Sequence, residues 1–468
     1  MSPEASAAPD DGLRDRGNMF LFSRPKAPKT LRCLWISRDI PFPQDAGDKI
    51  YSANMTCALA DAGVSVCFLG YTGDATGHQP DSWSRFSSSS WPVETNALTG
   101  NKRGKLAALF SRLPIAAAIH ATRDYRMLLG NQLAQHLDLI VMDSYGSGWA
   151  LDACLSAQKA AEKRGANRPT LIYLSHNHEE SIWRAMAAQA KGNPLKRLAL
   201  WQNYLKVRAL ERRLASKVDL ISAITAEDAQ LYGSQQPGKP AVTLTPGYSG
   251  RVLAARTITA STPRHVVLVG SFRWIVKQEN LRRFLELADA RFKAHDIRFD
   301  VIGDVPQALL DELRGTLQAT QFHGFVDDIA PYFESARLAV VPEVIGGGFK
   351  LKYLDYLFAR VPIATIGEAA AGLPHAIRDN MICRDDLKQL VDAIIETMDQ
   401  TERLNSMQAQ AFNAAQALFD WKDRGRALRE AAEALHAGKA TRPANLAVSA
   451  QAVKPAGTIP TTAWEPRT

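Results

Sequence analysis

Short, nearly uncharged apolar runs alternate with longer stretches of helical spacing from residue 31 onward, and this alternation predicts the architecture. Residues 31–37 (LRCLWIS) read as a strand, 50–62 as a helix stopped by Gly63, and 64–69 as a second strand. Strand, helix and strand at this spacing form a βαβ unit and imply a parallel sheet. Further strands are expected at 137–142 (LDLIVM), 171–175 and 218–225, whereas 83–104 is Ser-rich and reads as irregular. A long helix is expected over 195–217, packing through Leu198, Leu205, Leu210 and Leu214 and basic on its polar side. The same grammar restarts at 265–270 (HVVLVG), with Asn280 as a helix cap and strands at 299–303, 321–326, 336–342 and 363–365. A last helix begins near Leu418 and runs to about Ala437.

The stretch 336–362, ARLAVVPEVIGGGFKLKYLDYLFARVP, is the most informative. A buried strand enters a glycine loop at 343–348, and helical periodicity over 349–360 places Leu351, Leu354, Leu357 and Phe358 on one face. Strand, glycine loop and helix present backbone N–H groups and a positive helix end to a phosphate. Lys350 and Lys352 add charge there. Asp355 flanks the packing face, where a carboxylate suits a hydroxyl pair such as a ribose diol; a Lys352–Asp355 surface pair worth a few tenths of a kcal/mol is the plain alternative.

Length changes the picture first: 468 residues exceed one core, so two domains are expected. The net charge of +8 suits an anionic partner, and its scatter argues against nucleic acid. Five cysteines (Cys33, Cys57, Cys67, Cys154, Cys383) without Cys-x-x-Cys spacing read as free thiols in a reducing compartment, with no zinc site. No apolar run spans a bilayer and no signal-peptide pattern opens the chain, so a cytoplasmic location is expected. The basic amphipathic patch 105–114 and the basic helix 195–217 allow contact with an anionic membrane at its inner face.

Strand ends supply the remaining candidates, because ligands of parallel sheets gather there. Asp143 and Ser144 follow one strand; His176 follows the next, in the turn His176-Asn177-His178-Glu179-Glu180, where a general base or sugar-hydroxyl binder fits. Gly47 and Asp48 sit in the first loop, which an Asx-turn at Asp45 explains equally well. Arg273 and Lys277 are placed to reach an anion above the first strand of the second half.

With Pro342, Gly346, Gly348, Lys350, Lys352 and Pro362 in register, the stretch 336–362 resembles the donor segment of GT-B glycosyltransferases of family 4. Asp355 stands at the second glutamate of that family's Glu-(seven residues)-Glu motif, Gly347 at the first, and Arg360 replaces a usual glycine. The resemblance implies a GT-B fold: two Rossmann-like domains facing each other across a cleft, with the C-terminal helix crossing back to the N-terminal domain. It divides the chain into a flexible tail (1–30), an acceptor domain (31–250), a nucleotide-sugar donor domain (251–417), a crossing helix (418–437) and a second tail (438–468). It implies transfer of a sugar from a nucleotide diphosphate-sugar to a glycan, lipid-linked or small-molecule acceptor, with retention, as in polysaccharide biosynthesis. On this resemblance, Arg273, Lys277, Gly346, Gly347, Gly348, Phe349, Lys350 and Asp355 bind the donor. Gly324 meets the nucleobase through its backbone, Gly47 and Asp48 approach the acceptor or diphosphate, and His176 and Asp143 are the catalytic pair. The sequence contains no Asp-x-Asp, the metal clamp of the other glycosyltransferase architecture, so no metal or other cofactor is expected. A GT-B nucleotide-sugar epimerase and a non-catalytic carbohydrate- or lipid-binding relative are the rival readings.

Overall fold

A computed structural model describes residues 30–436 except 45, 73–92, 101, 191 and 314, together with a short strand at 446–447. The expected tails and the Asx-turn at Asp45 lie outside the described residues, apart from Thr30 and that strand.

Fourteen described strands form two sheets. The first comprises β1 (Leu31–Asp39), β2 (Val64–Tyr71), β3 (Val93–Leu98), β4 (Leu139–Asp143), β5 (Thr170–Leu174), β6 (Leu220–Ala223) and β7 (Ala241–Thr243). The second comprises β8 (His265–Val269), β9 (Arg298–Ile302), β10 (Thr320–Gly324), β11 (Ala336–Val341), β12 (Ile363–Ile366) and β13 (Ile382–Arg384); β14 (Leu446–Ala447) returns to pair with β7. The orders are β14-β7-β6-β5-β4-β1-β2-β3 and β10-β9-β8-β11-β12-β13, with every pairing parallel. Each sheet is thus wound outward in both directions from its centre, the Rossmann arrangement, and each has one switch point: between β1 and β4, and between β8 and β11.

Central strands such as β4 (LIVMD) and β11 (ARLAVV) are buried along their whole length, as helices on both faces demand. The edge strand β3 (VETNAL) is polar and half exposed; it falls inside the stretch read as irregular, because an edge needs no apolar run. Leu210 and Leu214 of the helix Pro194–Lys217 are buried as expected, but Leu198 and Leu205 lie on the surface, since only the helix's C-terminal half rests on the sheet.

Asn280 does not cap a helix. The helix runs Ile275–Ala294 and Asn280 is buried within it. The helix expected over 349–360 is shorter, Lys352–Phe358, because Gly348 takes φ +65° and breaks the helical path ahead of it.

The chain crosses between the halves twice, after β7 and before the last helix, Trp421–His436. The crossings touch, with the Tyr248 amide donating to the Phe419 carbonyl at 2.8 Å. The last helix packs on the helix Gly47–Asp61, where Gly425 lies so close that a Cβ would sit 1.9 Å from the Ala58 carbonyl oxygen. Trp421, Leu428, Ala431 and Ala432 thereby join the core of the first half.

Candidate functional site

Both switch points open toward one cleft. On the first side, Asp143 ends β4 as a buried carboxylate. Its Oδ1 lies 2.7 Å from His176 Nε2, and its Oδ2 accepts a hydrogen bond from Trp35 Nε1 at 2.9 Å. Burial alone would raise the Asp143 carboxyl, but His176, together with donors from Trp35 and Ser52, outweighs it and holds the group below its ordinary range. The next residue, Ser144, is held at φ +63°, an unusual conformation for a residue with a Cβ and one that clusters at working sites. Asp143, Ser144 and His176 line a pocket of about 30 Å³ with Ser37, Arg38, Asp39, Asp48 and Lys49. Asp48 pairs with Arg38 at 2.5 Å, and Gly47 opens the helix Gly47–Asp61 beside it.

On the second side, the organising group is a carboxylate that sequence reasoning passed over. Glu343, two residues beyond β11, lies 2.7 Å from Lys352 Nζ and 3.9 Å from Lys350 Nζ. Burial would raise its carboxyl, yet Lys352, Lys350 and Lys277 bring it down to about 2. Three lysines around one carboxylate leave an excess of positive charge. Burial lowers both Lys277 and Lys350, Lys352 adds to it and Glu343 opposes it, and an arriving anion would relieve that crowding. Lys350 Nζ folds over its own loop, donating to the carbonyls of Gly347 at 2.5 Å and Gly348 at 3.2 Å.

Asn280 fixes this loop. Its amide donates to the Ile345 carbonyl at 2.7 Å, and its carbonyl accepts from the Val344 and Ile345 amides at 3.1 and 3.0 Å. Asp355 is half-buried and pushed up to about 7 by burial, with Lys352 opposing. Gly346 is exposed, and the ring of Phe349 packs against both cores.

The two sides meet through the glycine loop. A Cβ on Gly348 would lie 2.2 Å from Asn177 Oδ1 and 2.9 Å from the His176 carbonyl oxygen; one on Gly347 would press Ile182. Gly47 faces Leu351 across the same gap, and Asp48 acts electrostatically on Lys277. Beside His176, Asn177 donates to Glu179 at 3.0 Å; burial and the nearby Glu211 push Glu179 up to about 7.

The structure therefore gathers Gly47, Asp48, Asp143, His176, Lys277, Gly347, Gly348 and Lys350 around one gap. Arg273 stands apart, exposed and ion-paired with Asp304. Gly324 closes β10 on the same sheet edge, its carbonyl accepting from the Gly303 amide at 2.7 Å. Arg38, Glu179, Asn280 and Glu343 were missed. Arg38 lies at the end of β1 and Glu343 two residues beyond β11, so both were within reach of the strand-end rule; Asn280 acts on a segment 65 positions away, which no local pattern signals. The amides of 346–349 precede the helix Lys352–Phe358 instead of forming its first turn, so the loop itself, and not the helix end, faces the gap.

Residues 263–400 match the sequence profile of the family described as glycosyl transferases group 1. No curated protein sequence matches the chain. Among solved structures, HepE of Anabaena, crystallised with UDP and glucose, superposes with a TM-score of 0.57 at 13% identity, covering 86% of this chain and 100% of that one. A mutant of S. aureus TarM in complex with fondaparinux, α-GlcNAc-glycerol and UDP gives a TM-score of 0.56 at 9% identity, over 86% and 100%. A trehalose-6-phosphate structure from E. coli, bound with UDP-2-fluoro glucose, gives 0.54 at 13%, over 86% and 99%. These likenesses establish the GT-B fold, and the group 1 profile falls on the second half of the chain, over β8 to β13.

Proposed function

We propose that the enzyme moves a sugar from a nucleotide diphosphate-sugar to a glycan, lipid-linked or small-molecule acceptor, without a metal and with retention of configuration. The observation that carries this reading is the cluster of Lys277, Lys350 and Lys352 around Glu343, facing His176 and Asp143 across the gap. When the bond from the anomeric carbon to the donor phosphate breaks, the leaving nucleoside diphosphate gains negative charge. Positioned lysines and loop amides lower the barrier by holding that charge in a partly dry site. Asp355 is suited to the ribose diol. His176, oriented by Asp143, is suited to bind a sugar hydroxyl or receive the acceptor proton, and Asp48 with Arg38 to position the acceptor. The absence of Asp-x-Asp from the sequence supports chemistry without a metal clamp. UDP-sugars and glycans bound to the structural neighbours support the choice of donor and acceptor class. A part in polysaccharide biosynthesis, a cytoplasmic location and work at the inner face of a membrane belong to the same proposal; no described helix is long and apolar enough to cross one.

Thermal shift with UDP-, GDP-, ADP- and TDP-sugars selects the donor, and nucleotide release is then measured with and without EDTA. Release that needs acceptor, persists in EDTA and is lost in Lys350→Ala and Asp355→Ala is expected. Donor converted to its epimer without acceptor would replace transfer with epimerisation.

A further inference from the structure

The helix Pro194–Lys217 leaves Leu195, Leu198, Trp201 and Leu205 on its outer face, 75%, 65%, 47% and 45% exposed. Their spacing puts them along one stripe. The short helix Lys105–Leu109 adds Leu106 at 79% and Phe110 just beyond it at 86%. The two helices are tied together: Lys206 Nζ donates to the Leu109 carbonyl at 2.6 Å, and the Ile115 amide donates to Asn203 Oδ1 at 3.0 Å. Six large apolar side chains thus share one side of the first half, where an isolated exposed leucine would need no explanation.

Charge decides what covers them. Residues 95–123 and 181–210 carry eleven Lys and Arg and no Asp or Glu. The whole chain has a net charge of +8, so everything outside these two segments is net negative. Lys105, Arg112, Lys196 and Arg197 are exposed within the same segments. A second copy on this face would be paired by a twofold axis, setting these cations against themselves. Lys102 and Arg208 are ion-paired with Asp39 and Glu180, but apolar tips bordered by the exposed Lys105, Arg112, Lys196 and Arg197 match an anionic bilayer, whose interface takes the apolar groups while its phosphates meet the lysines and arginines.

We propose that this face docks on an anionic lipid surface. The segment that carries it reaches the cleft: Lys102 pairs with Asp39, and His120 Nε2 lies 3.7 Å from the same carboxylate, which lines the pocket with Asp143 and His176. Docking here brings the acceptor side of the gap to the membrane. The inference rests on the enzyme working at a membrane and not on the transfer reaction.

Full-length protein is sedimented with phosphatidylcholine vesicles and with vesicles holding about 30 mol% phosphatidylglycerol, at low salt and at about 0.5 M salt. Partitioning onto the anionic vesicles at least tenfold above the neutral ones is expected, reversed by salt. Leu198→Glu with Trp201→Glu, and separately Lys196→Glu with Arg197→Glu, should each abolish that preference while the melting temperature holds. Equal binding to both vesicles, or variants that bind like the parent, overturns the proposal. So does self-association that the leucine and tryptophan variant removes while neither vesicle is bound. Vesicle binding alongside absent nucleotide release leaves docking standing and removes the transfer reading.

Discussion

Positive charge is concentrated twice in this molecule, and the two concentrations are built differently. Around the glycine loop, Lys277, Lys350 and Lys352 converge on the buried Glu343, and Lys350 is folded onto loop carbonyls. On the outer face of the first half, Lys105, Arg112, Lys196 and Arg197 stand in solvent among exposed leucines, Phe110 and Trp201. Inward charge held by a carboxylate at fixed geometry suits a small, multiply charged ligand that must be placed within a fraction of an ångström. Outward charge without acids, beside apolar tips, suits an extended surface that imposes no register. Count alone does not separate the two; what each cation is bonded to does.

Breaking the inward cluster carries the largest expected effect. Lys352→Ala takes the nearest cation from the buried Glu343 and leaves it Lys350 and Lys277; removing one partner of a buried pair costs at most roughly 3–5 kcal/mol, and urea denaturation and nucleotide titration should both register the loss. The double change Lys352→Met with Glu343→Leu should recover only part of the stability, because Lys277 and Lys350 then lack their carboxylate, and none of the nucleotide binding. Asn280→Ala leaves the Val344 and Ile345 amides without their acceptor, at about 1–3 kcal/mol. Its mark should be a raised donor KM, with the loop loosened before the domain melts.

Asp355 offers a pH test. Its folded pKa, about 7, lies above the ordinary carboxyl value near 4, so it favours the fold at low pH and that contribution fades as pH rises from about 4 to about 7. A ribose diol bonded to the carboxylate favours the ionised form. Donor affinity should therefore fall by up to about tenfold for each pH step below 7, and Asp355→Asn should flatten the profile. Titration calorimetry at several pH values checks this.

The smallest change is expected at Arg360, a cation in neither cluster. It sits at φ +54°, where strain costs about 1 kcal/mol. Its guanidinium lies over Phe412, 3.7 Å from the ring centroid, and Nε donates to the Leu253 carbonyl at 2.9 Å. Arg360→Gly relieves the strain and loses those contacts, so a net shift within about 1 kcal/mol is expected, with nucleotide and vesicle binding intact.

What could be read in advance follows how local the cause is. The central strands, the βαβ repeats and the glycine stretch were legible because apolar runs and loop residues lie next to each other in the chain. The gathering of Asp143 with His176 was open to the strand-end rule, since both follow central strands of a parallel sheet. Asn280 was misread because a residue that caps helices and one that binds a distant loop use the same amide. Leu198 and Leu205 were misread for the converse reason: periodicity marks an apolar stripe, but not whether protein covers it. Arg360 shows the backbone keeping a left-handed turn after the glycine expected there has gone, held by contacts more than 50 residues away.

The two chain crossings lie side by side, the Tyr248 amide donating to the Phe419 carbonyl and Arg424 Nε to the Thr245 carbonyl at 2.7 Å. Two crossings bonded together along one seam favour a swing about that seam over a slide past it. Opening the gap must then carry Gly348 away from Asn177 along an arc while Tyr248 and Phe419 stay near rest. Spin labels at those two places would record the same motion at long and short radius.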